Sequence, residues 1–236
     1  MRVLSRSRSA RGAIALAVAA LFAAVSCSDG GGAKTAPDAL STASLQAALL
    51  TAGELPQGWE LVGGGKAVTA DEVVRADRSA CQPVMDMVSG RSAEIAPTGQ
   101  VDAGLLGPGE AEGASHLGIN QYKEGEAAAL LEAVRAALPG CASFGVVEGG
   151  GSANVVAIAP GQGPELGDAA VFFEVATVDA SGGMMRIPHA IVRTGSALVI
   201  TSTLNLPDSA TVPIPEELLR AQVDKLAGMQ RQARQA

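Results

Sequence analysis

The chain has 236 residues, with 24 acidic and 17 basic side chains and a net charge of −7. An acidic balance of this kind excludes nucleic acid, or an anionic membrane surface, as a partner held by a broad electrostatic patch. Two histidines, His116 and His189, and three cysteines give no four-ligand zinc spacing, and no cofactor motif stands out.

Residues 1–26 read as an export signal. Arg2, Arg6, Arg8 and Arg11 form a basic start, and the apolar run Ala13 to Val25 follows. That run is too short for the ~20 residues a spanning helix needs. It ends in Ala24-Val25-Ser26-Cys27, which resembles the lipobox of bacterial lipoproteins. The resemblance implies cleavage before Cys27, diacylation of that residue, and a mature chain held on the outer face of the cytoplasmic membrane. Two acyl chains give a stable anchor where one gives a marginal one. Cleavage near Ala23 or Ala24 and plain secretion is the competing reading.

Residues 27–40, rich in Gly and small polar residues, read as a flexible tether, and residues 41–234 as one domain. The mature chain loses four arginines and no acid, so its net charge falls to about −11. About 195 residues suffice for a core without extra staples. Cys81 and Cys141 remain, and outside the cytoplasm an isolated pair most often forms a disulfide; two buried free thiols are the alternative.

A helix is predicted over Thr42 to Leu50, then a short strand over Trp59 to Val62. A second helix over Ala80 to Val88 places Cys81 in its first turn. Residues Ser89 to Glu112 are weakly patterned and read as a loop with at most one short strand. Ser115 to Tyr122 alternates as a strand with Leu117, Ile119 and Gln121 on one side. Glu124 to Leu138 is the strongest helix, with Ala127, Leu130, Leu131, Val134 and Leu138 in a single apolar stripe. Pro139-Gly140 ends it and delivers Cys141, so a bridge would tie this helix end to the start of the earlier helix. A hairpin follows over Ser143 to Glu148 and Asn154 to Ala159. Three strands come next, Ala169 to Thr177, Met185 to Arg193 and Ala197 to Leu204. Pro188 lies inside the middle of these three and cannot donate to a ladder, so it marks a bulge or an edge. A last helix runs from Pro215 to about Arg234, with Leu219, Val223 and Leu226 inward. Runs of strands joined by short turns predict an antiparallel β-sheet packed with helices, and hence the α+β class.

Catalytic signatures are lacking. There is no G-x-S-x-G. His116 and His189 fall on predicted strands; a dyad with a carboxylate stays open there, but half-buried structural roles fit better. Gly63-Gly64-Gly65-Lys66 lacks phosphate-loop spacing and is followed by Ala67, and Gly161-Gln162-Gly163 precedes Pro164; both read as turns. Asp71, Glu72 and Asp77 lack the spacing of a calcium loop and read as a solvated face. Asp168 reads as a turn or cap residue, and Trp59 as core rather than a cleft mouth. Aromatic side chains are too few for a sugar-stacking surface.

Three segments together resemble a known family: Ala48-Leu49-Leu50-Thr51-Ala52-Gly53-Glu54-Leu55-Pro56-Gln57-Gly58-Trp59, then Asn120-Gln121-Tyr122, then Leu166-Gly167-Asp168-Ala169. With the helix closing on Cys141, they resemble the extracellular sensor-like domains of actinobacteria. Those domains occur on mycobacterial receptor kinases of the PknH type and as free-standing lipoproteins. The Ala, Gly, Val and Arg usage fits the high-GC genomes of that group. The resemblance implies an antiparallel sheet with helices and a cleft for an unidentified ligand. Domains of this family usually carry two disulfides, and this chain has one candidate pair. The function expected is therefore a non-enzymatic binding domain for a small or lipidic cell-envelope ligand. The alternative is a module that docks another envelope protein without a small ligand.

Overall fold

A computed structural model describes residues 35–63, 74–92, 94–108, 114–147, 154–178, 182–205 and 211–235. The export signal, Cys27, the start of the tether, Gly64-Gly65-Lys66 and the Asp71-Glu72 pair lie outside these residues.

Nine strands among the described residues form one fully antiparallel sheet. They are β1 (Glu60–Leu61), β2 (Arg75–Ala76), β3 (Gly99–Leu106), β4 (Ala114–Gln121), β5 (Ser143–Val147), β6 (Asn154–Pro160), β7 (Ala169–Val178), β8 (Met184–Thr194) and β9 (Ala197–Leu204). Their spatial order is β1-β3-β4-β9-β8-β7-β6-β5-β2, so the chain crosses from one edge to the other between β1 and β2. The helices are α1 (Thr42–Ala48), α2 (Gln82–Val88), α3 (Glu126–Ala137) and α4 (Glu216–Ala233). The α+β class expected from the sequence is what the chain adopts.

The helices divide between the two sheet faces. Strand alternation sends Ala190, Val192, Ala197 and Val199 to one side, where α1 and α4 bury them with Leu45, Leu219, Val223 and Leu226. Ile191, Leu198, Ile200, Val171, Phe173 and Val175 face the other side, under α2 and α3. The central strands β8 and β9 are thus covered on both faces. That is why Ala197–Ile200 are all buried, a continuous apolar run and not a half-polar one.

The region Ser89 to Glu112, read as a loop with at most one short strand, holds a longer strand than expected. It contains β3, eight residues fully paired with β4. Val101, Ala103 and Leu105 alternate inward, but Gly99 before them and Asp102 and Gly104 between them carry little strand propensity and mask the pattern. Elsewhere the boundaries shift by a few residues. α3 starts after Gly125, whose φ of 81° serves as the entry turn, and its last turn tightens into a 3-10 turn through Leu138–Gly140. Cys81, in a 3-10 turn leading into α2, is bonded to Cys141, with Cα atoms 5.6 Å apart. The bridge ties the end of α3 to the start of α2, the arrangement expected from the sequence.

Packing begins before residue 41. Ala36, Asp38 and Leu40 are buried. The Asp38 carboxylate accepts a hydrogen bond from Ser196 N at 2.9 Å and lies 3.7 Å from Arg234. The side chain of Gln121 holds Leu40 at both its N–H (2.6 Å) and its carbonyl (3.0 Å).

Candidate functional site

Pro188 opens the site. The β8–β9 ladder runs from Thr194–Ala197 to His189–Ser202 and stops there, although β8 continues back to Met184 and β9 on to Leu204. Proline has no N–H to continue the pairing. Beyond this point β8 is paired only with β7 and β9 only with β4. A side chain replaces the ladder. Asn205, 6% exposed, donates from Nδ2 to the Arg186 carbonyl (2.7 Å) and accepts at Oδ1 from Val212 N (2.9 Å). This pins the segment that leads into α4 across the parting strands.

A cavity of about 250 Å3 lies at that place. Its walls are mostly apolar: Phe172, Pro164, Pro188, Pro213, Ile214 and Leu219. The loop after β6 closes one side. A Cβ on Gly163 would stand 2.4 Å from the Phe172 ring, so only glycine lets this backbone lie on the aromatic face. The polar side chains on this face of the sheet and the segment above it include Glu174, Glu216 and Thr211. Glu174 binds Arg186 through Oε1 at 2.7 Å, and its Oε2 has only a marginal contact with Thr211 Oγ1 at 3.5 Å. Glu216 pairs with Arg220, one turn on in α4.

His189, next to Pro188 in β8 and 5% exposed, turns its side chain to the opposite face of the sheet from Phe172 and Glu174, with Phe173, Ile187 and Ile191. Its ring stacks on Phe173, with centroids 5.2 Å apart and planes 10° from parallel. Its Nδ1 is buried with no hydrogen-bond partner, an arrangement native interiors rarely keep. Burial, reinforced by the neighbouring His116, pushes its pKa down to about 4, so the ring is neutral at pH 7.

His116 belongs to the same row of the sheet. Ser202 pairs with both histidines, so all three side chains leave the same face. The two imidazoles sit two strand spacings apart, roughly 10 Å. His116 is about half exposed and lies 3.9 Å from the Asp102 carboxylate. Burial still lowers its pKa, against the pull of Asp102. A dyad geometry is incomplete, since 3.9 Å exceeds hydrogen-bond reach. Among the described residues no group of three or more His, Cys, Asp or Glu has metal-binding geometry.

The other residues singled out from the sequence hold the fold. Trp59 is 9% exposed in the core beneath α1. Asp168 accepts from Gly195 N (2.7 Å) and Arg193 Nη1 (2.9 Å), capping the β8–β9 hairpin. In the long motif, Glu54 accepts from Thr51 N (2.8 Å) and from Lys225 Nζ (2.7 Å), and Lys225 also donates to the Leu49 carbonyl at the end of α1. Asn120 donates to the Gly90 carbonyl (2.8 Å) and packs beside the fully buried Tyr122. These segments staple helices to the sheet. The cavity residues Phe172, Glu174, Ile214 and Leu219 are absent from them; of the residues read in the sequence, the Gly161-Gln162-Gly163 turn with Pro164, and Pro188, line the cavity.

No family model matches the chain, and no curated protein sequence does. Among solved structures, the extracellular domain of PknH from Mycobacterium tuberculosis aligns with a TM-score of 0.55 at 14% identity, over 82% of this chain and 97% of that one. The chain shares the fold of the PknH extracellular domain. The X-ray structure of the Rv0999 orthologue from Mycobacterium smegmatis aligns with a TM-score of 0.35 at 13% identity, over 86% of this chain and 97% of that one. The PknH resemblance read from three sequence segments is therefore met at the level of fold.

Proposed function

We propose that this chain is an extracytoplasmic sensor-like binding domain, tethered through a lipid on Cys27, that takes a small, largely apolar ligand into the cavity where β8 and β9 part. The observation that carries the reading is the cavity itself: mostly apolar walls with the Glu174 carboxylate and the Thr211 hydroxyl among them. Ligand sites have this composition, apolar walls with a few placed polar groups, and the volume suits a small ligand or one end of a longer one. The likeness in fold to an extracellular domain supports placement outside the cytoplasm. Among the described residues no helix is long and apolar enough to cross a membrane, which leaves the Cys27 lipid as the proposed attachment. The incomplete His116–Asp102 geometry favours binding over catalysis.

The test is amide-resolved NMR of the mature chain titrated with benzyl alcohol. Shifts centred on Phe172, Glu174, His189 and Leu219 support the reading; shifts elsewhere, or none at millimolar probe, reject it. The lipid is tested separately by the intact mass of protein from host membranes, where a chain starting at Cys27 and heavier by a diacylglyceryl group is expected.

A second reading, a module that docks another envelope protein, rests on a different observation. The exposed large hydrophobics Leu61, Val62, Leu106, Val178, Met184 and Leu204 all lie at the same end of the sheet, opposite the β8–β9 hairpin. Concentration-dependent association that Leu106→Ser and Leu204→Ser abolish would favour it.

A further inference from the structure

We infer that the hairpin end of the sheet, where β8 turns into β9, is the surface this domain turns to the bilayer. The β8–β9 cavity and the opposite, apolar end of the sheet then look out into the envelope. This rests on the Cys27 lipid proposed above. A clamp on the incoming chain carries it. The Asp38 carboxylate, 4% exposed, accepts from Ser196 N at 2.9 Å and lies 3.7 Å from Arg234. Gly195 beside it leaves the room, since a Cβ there would fall on that carboxylate. Two residues on, the Gln121 side chain brackets Leu40, accepting from its N–H and donating to its carbonyl. The end of α4 meets the same hairpin: Gln230 accepts from Thr194 Oγ1 (3.1 Å) and donates to the Thr194 carbonyl (3.0 Å). Residues 36–40 are therefore fixed to the domain, and the free link to Cys27 starts at Ala36.

Cys27 stands nine residues before Ala36. Such a link spans at most ~32 Å fully extended, and ~16 Å on average when flexible. The sheet is longer than that average. From Ala197 at the hairpin to Leu204 at the other end is ~24 Å of strand, and Pro188, at the cavity, lies ~20 Å from Thr194 along β8. To set the Leu204 end on the bilayer, the link would have to run back along the domain at nearly its full extension. With the hairpin down it keeps its average span. Charge points the same way. At the hairpin end Lys123, Arg193, Arg231 and Arg234 balance Glu124, Glu126, Asp38 and Asp168, in a mature chain of about −11. An anionic leaflet repels this end less than the acidic remainder. A ligand of the cavity then arrives from the envelope, and the exposed Leu106, Val178 and Leu204 meet an envelope partner, not the bilayer that holds the lipid.

Methyl NMR of the acylated chain in phosphatidylglycerol nanodiscs, with a gadolinium chelate on a fraction of the headgroups, tests this. Relaxation enhancement is expected at the methyls of Leu40, Ala197 and Leu198 and is lost at those of Leu106, Val178 and Leu204. Asp38→Ala opens the clamp and lets the link start nearer Leu40, so the contrast between the two ends shrinks. Asp38→Asn keeps an oxygen to accept from Ser196 N and retains the contrast. Equal enhancement at both ends of the wild type, or stronger enhancement at Leu106 and Leu204, overturns the inference while leaving the lipid in place. An undiminished contrast in folded Asp38→Ala overturns it as well, since the clamp then does not set the orientation. A mature chain from host membranes whose intact mass shows no lipid on Cys27 overturns the lipid reading, and this inference with it.

Discussion

Replacing His189 by Phe tests what its buried, unpaired ring nitrogen costs the fold. The phenyl ring keeps the stack on Phe173 and removes the unpaired buried nitrogen. An unsatisfied buried polar atom costs about 1–3 kcal/mol, so His189→Phe is expected to raise stability at pH 7 by about 1 kcal/mol after some loss to overpacking. The acid side is larger. The folded-state pKa is lowered from 6.5 to about 4 by burial and by His116. The unfolded chain therefore binds the proton first as pH falls. The stability tied to neutral His189 is complete above pH 6.5 and is lost progressively as pH falls towards 4. A shift of this size corresponds to about 3 kcal/mol, an order-of-magnitude figure. The advantage of His189→Phe over wild type should widen from about 1 kcal/mol at pH 7 to about 4 kcal/mol near pH 4. Trp59, the single tryptophan and 9% exposed, reports unfolding in urea at each pH by fluorescence. A difference between the two proteins that stays constant from pH 7 to pH 4 would refute the assignment of a buried neutral imidazole.

Other consequences concern the staples. Gln222 is fully buried, accepting from Leu50 N (3.0 Å) and donating to the Ala48 carbonyl (2.7 Å), so Gln222→Ala should cost about 2–4 kcal/mol in urea unfolding by stranding both groups. Replacing Cys81 and Cys141 together by Ala opens a loop spanning 60 residues, and loop entropy predicts a loss of up to about 4 kcal/mol, read from the denaturant midpoint. Gly167 has φ +59°, and a Cβ there would lie 2.3 Å from the Arg193 carbonyl oxygen; Gly167→Ala is expected to cost at least ~2 kcal/mol, measured as a drop in Tm. The Glu54 carboxylate is held at a pKa of about 2, chiefly by the hydrogen bond from Lys225 and then by Thr51. Its contribution is full above pH 4.5 and disappears as pH falls through 2. Because Glu54 is 44% exposed, solvent screening keeps it to about 1 kcal/mol, and Glu54→Gln should flatten the stability profile below pH 4.5 by that amount.

What the sequence made legible follows from physics local in the chain. The stripe Ala127, Leu130, Leu131 and Val134 announces α3 because one face alone carries its burial. The alternation around Leu117 and Ile119 announces β4 for the same reason. β3 escaped because glycine and alanine in a strand pack correctly without advertising it. The division of helices between two sheet faces also escaped, since which face a helix covers is settled by long-range pairing. The cavity was the least legible part. Its walls come from the loop after β6, from β7, from β8 and from the start of α4, and no short motif spans them. Pro188 reads in the sequence as a bulge or an edge; β8 keeps an unbroken register with β7, and its ladder to β9 ends beside the proline.

The central claim is that this cavity holds a ligand in the cell envelope, and native mass spectrometry of the chain extracted from host membranes tests it most directly. Wild-type protein is compared with Ile214→Trp, which fills the space beside Phe172 and Leu219. The account predicts a non-covalent mass on the wild type that is lost on denaturation and is absent from Ile214→Trp. The same adduct on both proteins, or none on either while both remain folded, would contradict it.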